Sequence, residues 1–163
     1  MISNCGTDNA LQSATQSIAT VPATPEFLYW TKPANGQNPV VTVNAVSGAY
    51  VGPAGLIPGV TFVPAKPNDI LTIYAVSFGP TNPASIPGTP PTDAARTVAT
   101  PTVKLGTTTL DPGLVLYAGV SPGSAGLYQL NIQLPATLAD GNYPLVLTLG
   151  TVSTPVGYLT VQN

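Results

Sequence analysis

The residues able to do chemistry are few and widely spaced. Six carboxylates, Asp8, Glu26, Asp69, Asp93, Asp111 and Asp140, make up the acidic complement, and no two lie within fifteen residues of each other. A glycosidase-type acid and base need two carboxyls within about 5–10 Å across a cleft, and nothing in this spacing favours such a pair. The Asp residues beside Gly, Pro or Asn read as turn formers. Histidine is absent. Ser-His-Asp and Cys-His nucleophile systems, His-ligated metals and imidazole acid–base steps are therefore excluded. Calcium needs several clustered oxygen ligands; Asn68-Asp69 and Asp140-Gly141-Asn142 are the only places to look, and both read as plain turns. Lys104 is the one lysine placed to form an internal amide with an Asn, a reaction that needs burial to lower its pKa. Its expected role is the blander one of an outward strand lysine that discourages edge pairing. No catalytic, cofactor-binding or metal-binding residue is expected, and the chain is read as a non-enzyme.

Aromatic rings flanked by amides are the remaining chemical feature. Trp30 and Tyr29, with Tyr50, Tyr117 and Tyr158, supply flat apolar surfaces, and Gln129, Asn131 and Gln133 supply a row of amides. Glycan-binding sandwiches use such platforms, so Trp30, Tyr29, Gln129 and Asn131 are the candidate glycan contacts. Set against this, most Tyr and Trp in a sandwich serve packing.

The composition bounds what must position these residues. At 163 residues the chain has the length of one ordinary domain. Charged residues are 6% of it, against about 25% in an average soluble domain. Four cations and a net charge of −2 cannot neutralise a row of phosphates, so nucleic acid is not an expected partner. The 19 Pro and 16 Gly raise the question of disorder. They are interleaved with runs such as Val40-Val41-Thr42-Val43, Ile70-Leu71-Thr72-Ile73-Tyr74 and Leu145-Val146-Leu147-Thr148-Leu149, which disordered chain lacks. No run approaches the ~18 apolar residues of a membrane-spanning helix. Met1 to Gly6 lacks the basic and apolar regions of a secretory signal, so Met1 is read as an added start or a trimmed mature terminus. Cys5 is read as an inert tail residue.

Short β-branched runs punctuated by Pro and Gly about every ten residues predict an all-β sandwich. Strands are expected at Val40–Val46, Val60–Val63, Ile70–Phe78, Thr102–Leu105, Leu114–Tyr117, Tyr128–Leu134, Tyr143–Leu149, Thr151–Ser153 and Gly157–Val161, with a strand start at Ile18–Val21, a bend between Pro22 and Pro25, and Glu26–Trp30 as the most aromatic stretch. The clearest alternation is Tyr128 to Leu134, with Tyr128, Leu130, Ile132 and Leu134 on the core face and Gln129, Asn131 and Gln133 on the wet face. Gly79 to Pro101 is expected to be irregular, Asp140-Gly141-Asn142 a turn, and residues 9–18 a short helix. Tyr50 and Leu56 are expected to anchor the loop between Ser47 and Gly59.

Several of these segments also resemble a known family. Val115-Leu116-Tyr117-Ala118-Gly119, Pro122-Gly123, Gly126 through Pro135 and Asp140 through Thr148 resemble, in order, the C-terminal Ig-like module of large acidobacterial secreted proteins, a family of unknown function related to the IPT/TIG sandwiches. Thr24-Pro25-Glu26-Phe27 and the stretch from Lys66 to Thr81 resemble it more weakly, with Ser77-Phe78 departing from its pattern. The resemblance implies an Ig-like β-sandwich with Greek-key connections over residues 22–163, about seven to nine antiparallel strands, and a segment 1–21 belonging to a preceding domain. It further implies a secreted or cell-surface location. The expected function is a non-catalytic structural or adhesion module of a larger extracellular protein, with a carbohydrate-binding module as the alternative. Neighbouring domains or subunits, joined by β-strand addition, and glycans are the expected partners.

Overall fold

The computed structural model describes residues 16, 17, 19, 21, 23–86 and 88–163. The expectations for Cys5, Asp8, the helix over 9–18 and most of the segment 1–21 fall outside the described residues. Within them the chain is all β. In chain order the strands are β1 (Glu26–Phe27), β2 (Thr42–Asn44), β3 (Tyr50–Val51), β4 (Phe62–Val63), β5 (Ile70–Val76), β6 (Thr81–Asn82), β7 (Arg96–Thr97), β8 (Pro101–Leu105), β9 (Thr108–Thr109), β10 (Val115–Val120), β11 (Leu127–Gln133), β12 (Gly141–Leu149), β13 (Val152–Ser153) and β14 (Gly157–Val161). One 3-10 turn, Pro112–Leu114, precedes β10. No helix among the described residues is long and apolar enough to cross a membrane.

Two sheets result. The larger runs β4-β3-β2-β5-β11-β10-β7-β6, with β1 also on β5; the smaller runs β13-β12-β8-β9, with β14 also on β12. Long strands arise where β-branched and large apolar residues continue, as in Ile70–Val76, or alternate with amides, as in Leu127–Gln133. Their inward side chains meet between the sheets: Leu71, Ile73, Leu130 and Ile132 from the larger, Val103, Leu145, Leu147 and Leu159 from the smaller, all in one buried cluster. Each such side chain contributes about 1.5–3 kcal/mol by leaving water, before ordering entropy is charged. That is how a chain with so few charges and one cysteine holds two layers together.

Strand β14 seals one side. It pairs with β12 and on its other edge bridges Pro39 and Ala65 in parallel, through Val40 N–H to the Tyr158 carbonyl at 3.1 Å and Ala65 N–H to the Thr160 carbonyl at 2.9 Å. The backbone comes so close here that a Cβ at Gly157 would run into the Val40 side chain.

Several boundaries differ from expectation, each for a local reason. Seven strands have three or more residues and seven have only two, so the sheets contain more pieces than the expected seven to nine, several of them in segments read as loop. Pairing is not wholly antiparallel, since β3 and β4 run parallel. The strand expected to reach Val46 stops at Asn44 because the Asn44 side chain accepts the N–H groups of Val46 and Ser47 and turns the chain. The strand expected to reach Phe78 stops at Val76, where Ser77 takes a φ of 58° that strands do not tolerate. Gly141 and Asn142, expected in a turn, open β12 instead, and the supposedly irregular 79–101 contains the β6–β7 pair.

Candidate functional site

The outward face of the larger sheet gathers the aromatic and amide residues. On β11, Leu130 and Ile132 are fully buried, while Gln129, Asn131 and Gln133 are half-buried on the opposite side. Asn131 stands opposite Thr72, Thr72 opposite Val43, Val43 opposite Tyr50, and Tyr50 opposite Phe62. Directly paired residues project from the same face, so these five form one row on the side opposite the inter-sheet core, with Thr72 and Phe62 buried in it, Asn131 and Val43 half-buried and Tyr50 exposed. Adjacent strands lie about 4.8 Å apart, which sets Asn131 and Tyr50 roughly 14 Å from each other along the row.

At one end of this row the rings stack into a cluster. Trp30 lies 5.1 Å from Tyr50 with the planes 58° apart and 5.1 Å from Phe62 nearly edge-on, at 81°. Tyr50 and Phe62 are 6.0 Å apart. Leu56 and Phe62 both reach Gly52, where a Cβ would stand 3.2 and 3.1 Å from them, so the loop from Gly52 to Thr61 folds over Phe62 as a small apolar cap. Phe62 is 5% exposed and Tyr50 46%. The Trp30 Nε1 is buried with no acceptor among the described residues. Trp30 is half-buried behind Tyr50, and Tyr50 is the more exposed ring.

Of the four residues singled out for sugar contact, Trp30, Gln129 and Asn131 share this face. Tyr29 does not. As the neighbour of Trp30 in extended chain, paired with Val40, it turns the other way and packs against the buried cluster, with the Lys32 ammonium 5.8 Å above its ring. Burial, reinforced by the negative charge of Glu26, raises the Tyr29 pKa above its ordinary value. Among the amides, Gln129 Nε2 donates to Asn131 Oδ1 at 3.4 Å and Gln133 Nε2 to the Asn68 carbonyl at 3.5 Å. Tyr50 was legible in the sequence as an aromatic and as a loop anchor; that it carries the exposed ring was not, because exposure depends on Trp30 and Phe62 arriving from other strands.

Four of the carboxylates accept hydrogen bonds, three of them from the backbone. Asp69 Oδ2 accepts the Lys66 N–H at 2.8 Å, Asp111 Oδ1 accepts the Gly113 N–H at 2.7 Å and caps the 3-10 turn, and Asp93 Oδ2 accepts the Thr92 hydroxyl at 2.9 Å. Asp140 Oδ1 accepts both the backbone N–H and the side-chain Nδ2 of Asn163, each at 2.8 Å, tying down the C-terminus. Among the described residues no three of His, Cys, Asp and Glu come together. Lys104 is exposed on β8, which is the outward placement expected of it. Tyr117 is no ligand platform either: it is 8% exposed, its hydroxyl lies within hydrogen-bond distance of the Ala95 and Val120 carbonyls, and the Arg96 guanidinium sits 5.2 Å from its ring.

A groove of about 560 Å³ opens elsewhere, lined by Val21, Phe78, Val98, Leu149 and Val152 among others. Among the described residues its lining offers no amide or charged side chain to orient a ligand. No family model, curated protein or solved structure matches the chain.

Proposed function

We propose that this chain is a non-catalytic Ig-like module, secreted or displayed at a bacterial cell surface, that serves structure or adhesion within a larger extracellular protein. The observation that carries the reading is the employment of the carboxylates: Asp69, Asp111 and Asp140 each hold a turn or a terminus, and Asp93 accepts the hydroxyl of its neighbour Thr92, which leaves them poorly placed to move protons for a substrate. The low charge adds support, since such a fold depends little on pH near neutrality. The ordered resemblance from Val115 to Thr148 is the ground for assigning it to the acidobacterial secreted class. Partners in this reading are neighbouring domains or subunits. The outermost strands β4, β6, β9 and β13 have two residues each, so strand addition there would make only short ladders, and faces and loops are the larger surfaces available.

The test is display of the chain on a heterologous bacterial host, with retention of the cells on protein-coated and polysaccharide-coated surfaces measured beside a turnover screen of chromogenic esters and glycosides. Raised retention without turnover is the expected result. Turnover by the purified protein that is lost when one of the four Asp residues is replaced by Asn would overturn it.

A further inference from the structure

We infer that the outward face of the larger sheet binds a neutral, extended polysaccharide, with Tyr50 as the stacking ring and Asn131 and Gln129 as the hydrogen-bonding end. This rests on the adhesion reading and gives it a target. Three observations point to that ligand chemistry. The first is the in-register row Asn131, Thr72, Val43, Tyr50, which crosses four strands and spans roughly 14 Å at the usual strand spacing. That is the reach of a short oligosaccharide laid across the strands, with a ring at one end and amides at the other. The second is charge: the row and its neighbours Tyr74, Gln129 and Gln133 contain no ionisable acid or base other than tyrosine. A neutral polyol matches such a face, whereas an anionic polymer or a basic peptide would leave its charges unpaired on it. The third is the division of labour in the aromatic cluster. Trp30, half-buried with its Nε1 sealed, and Phe62, 5% exposed, fix the position of Tyr50, a residue 46% exposed. A ring held from behind and open in front loses little freedom when a sugar stacks on it.

The amides complete the arrangement. Gln129 Nε2 donates to Asn131 Oδ1, which sets the two side chains side by side, and no hydrogen bond among the described residues uses Asn131 Nδ2 or Gln129 Oε1. One donor and one acceptor thus stand next to each other, the pair that adjacent sugar hydroxyls require.

Affinity electrophoresis of the full chain in gels containing hydroxyethylcellulose, xylan, laminarin or, as the charged comparison, carboxymethylcellulose tests this, followed by calorimetry with cellohexaose or xylohexaose. Retardation by at least one neutral polymer is expected. Tyr50→Ala is expected to weaken binding about tenfold, the equivalent of 1.4 kcal/mol, and Tyr50→Phe to preserve it. Asn131→Ala should weaken binding without altering the thermal midpoint, which separates loss of the site from loss of fold. Absence of retardation in every neutral gel overturns the inference, and so does binding that survives both Tyr50→Ala and Asn131→Ala. A concentration-dependent dimer in sedimentation that Tyr50→Ala abolishes would also overturn it, by assigning the face to a second copy of the chain. Retention of displayed cells on protein-coated surfaces with no glycan binding would sink this inference while leaving the adhesion reading intact; no retention on any surface would remove adhesion itself.

Discussion

The hydroxyl of Tyr128 donates to the carbonyl of Gly79 at 2.7 Å, joining residues 49 positions apart. The bond fastens the chain leaving β5 to the start of β11, while the Tyr128 ring rests 5.4 Å from Phe78. Tyr128→Phe keeps that ring contact and deletes the bond, so the expected cost is about 0.5–1.5 kcal/mol, the net worth of one hydrogen bond. Tyr128→Ala loses the ring as well and should cost about 3–5 kcal/mol, in the range of large aromatic deletions. Urea unfolding of the two variants separates the contributions, and equal losses would show that the hydroxyl carries the whole effect.

At Gly157 the backbone of β14 is pressed against the Phe27 and Val40 side chains, where the smaller sheet is bonded to the larger through Pro39 and Val40. A methyl group there has no room, and Val40, 1% exposed, cannot swing away. Gly157→Ala is expected to cost at least about 1–3 kcal/mol, the usual penalty for overpacking. Gly150→Ala is the control for crowding: nothing lies within 4 Å of its added Cβ, and its φ of 61° leaves only backbone strain of about 1–2 kcal/mol. Thermal melts of both variants check the ordering, with Gly157→Ala the lower.

Alternation made β11 readable from sequence, because every second residue from Tyr128 to Leu134 is large and apolar and the amides between them cannot share a core. Short β-branched runs bounded by Pro and Gly placed β5, β8, β12 and β14. Neither pattern found β3, β6, β7 and β9, where two residues are too few to show a period or a run and pairing is imposed by neighbours already in place. The aromatic and amide residues were nameable, but not their grouping. Tyr29 and Trp30 are adjacent in sequence and for that reason face opposite ways, a consequence of extended chain that splits a pair composition alone would keep together. The prominence of Tyr50 over Trp30 comes from β3 pairing with both β2 and β4, contacts that no local window contains.

Thr154 is buried and exchanges bonds with Leu147: its hydroxyl accepts the Leu147 N–H at 3.0 Å and its own N–H donates to the Leu147 carbonyl at 2.9 Å. Thr154→Val preserves shape while stranding the Leu147 donor in the interior. The expected cost is about 1–3 kcal/mol, the desolvation penalty of one orphaned amide. Thr154→Ser keeps the acceptor and should recover most of that loss. Hydrogen exchange gives the local readout, with the Leu147 amide expected to lose protection in the Val variant and to keep it in the Ser variant.

Three tyrosines should make stability depend on pH on the alkaline side. Burial raises the pKa values of Tyr117 and Tyr128, and burial with the charge of Glu26 does the same for Tyr29. The folded state therefore keeps these protons at pH values where the unfolded chain, with its tyrosines near pH 10, has begun to release them. Stability rises with pH only where the unfolded state binds more protons; here it binds fewer, so stability falls as pH climbs above about 10 towards the raised values. Below that, both states hold the protons and these groups add no slope. With no histidine in the chain, nothing with an ordinary side-chain pKa in the neutral range supplies one either. Urea midpoints measured from about pH 6 to pH 9 should be level and then decline, and Tyr128→Phe should flatten the decline. A midpoint that moves through the neutral range would contradict this account, as would an alkaline loss unchanged in the Phe variant.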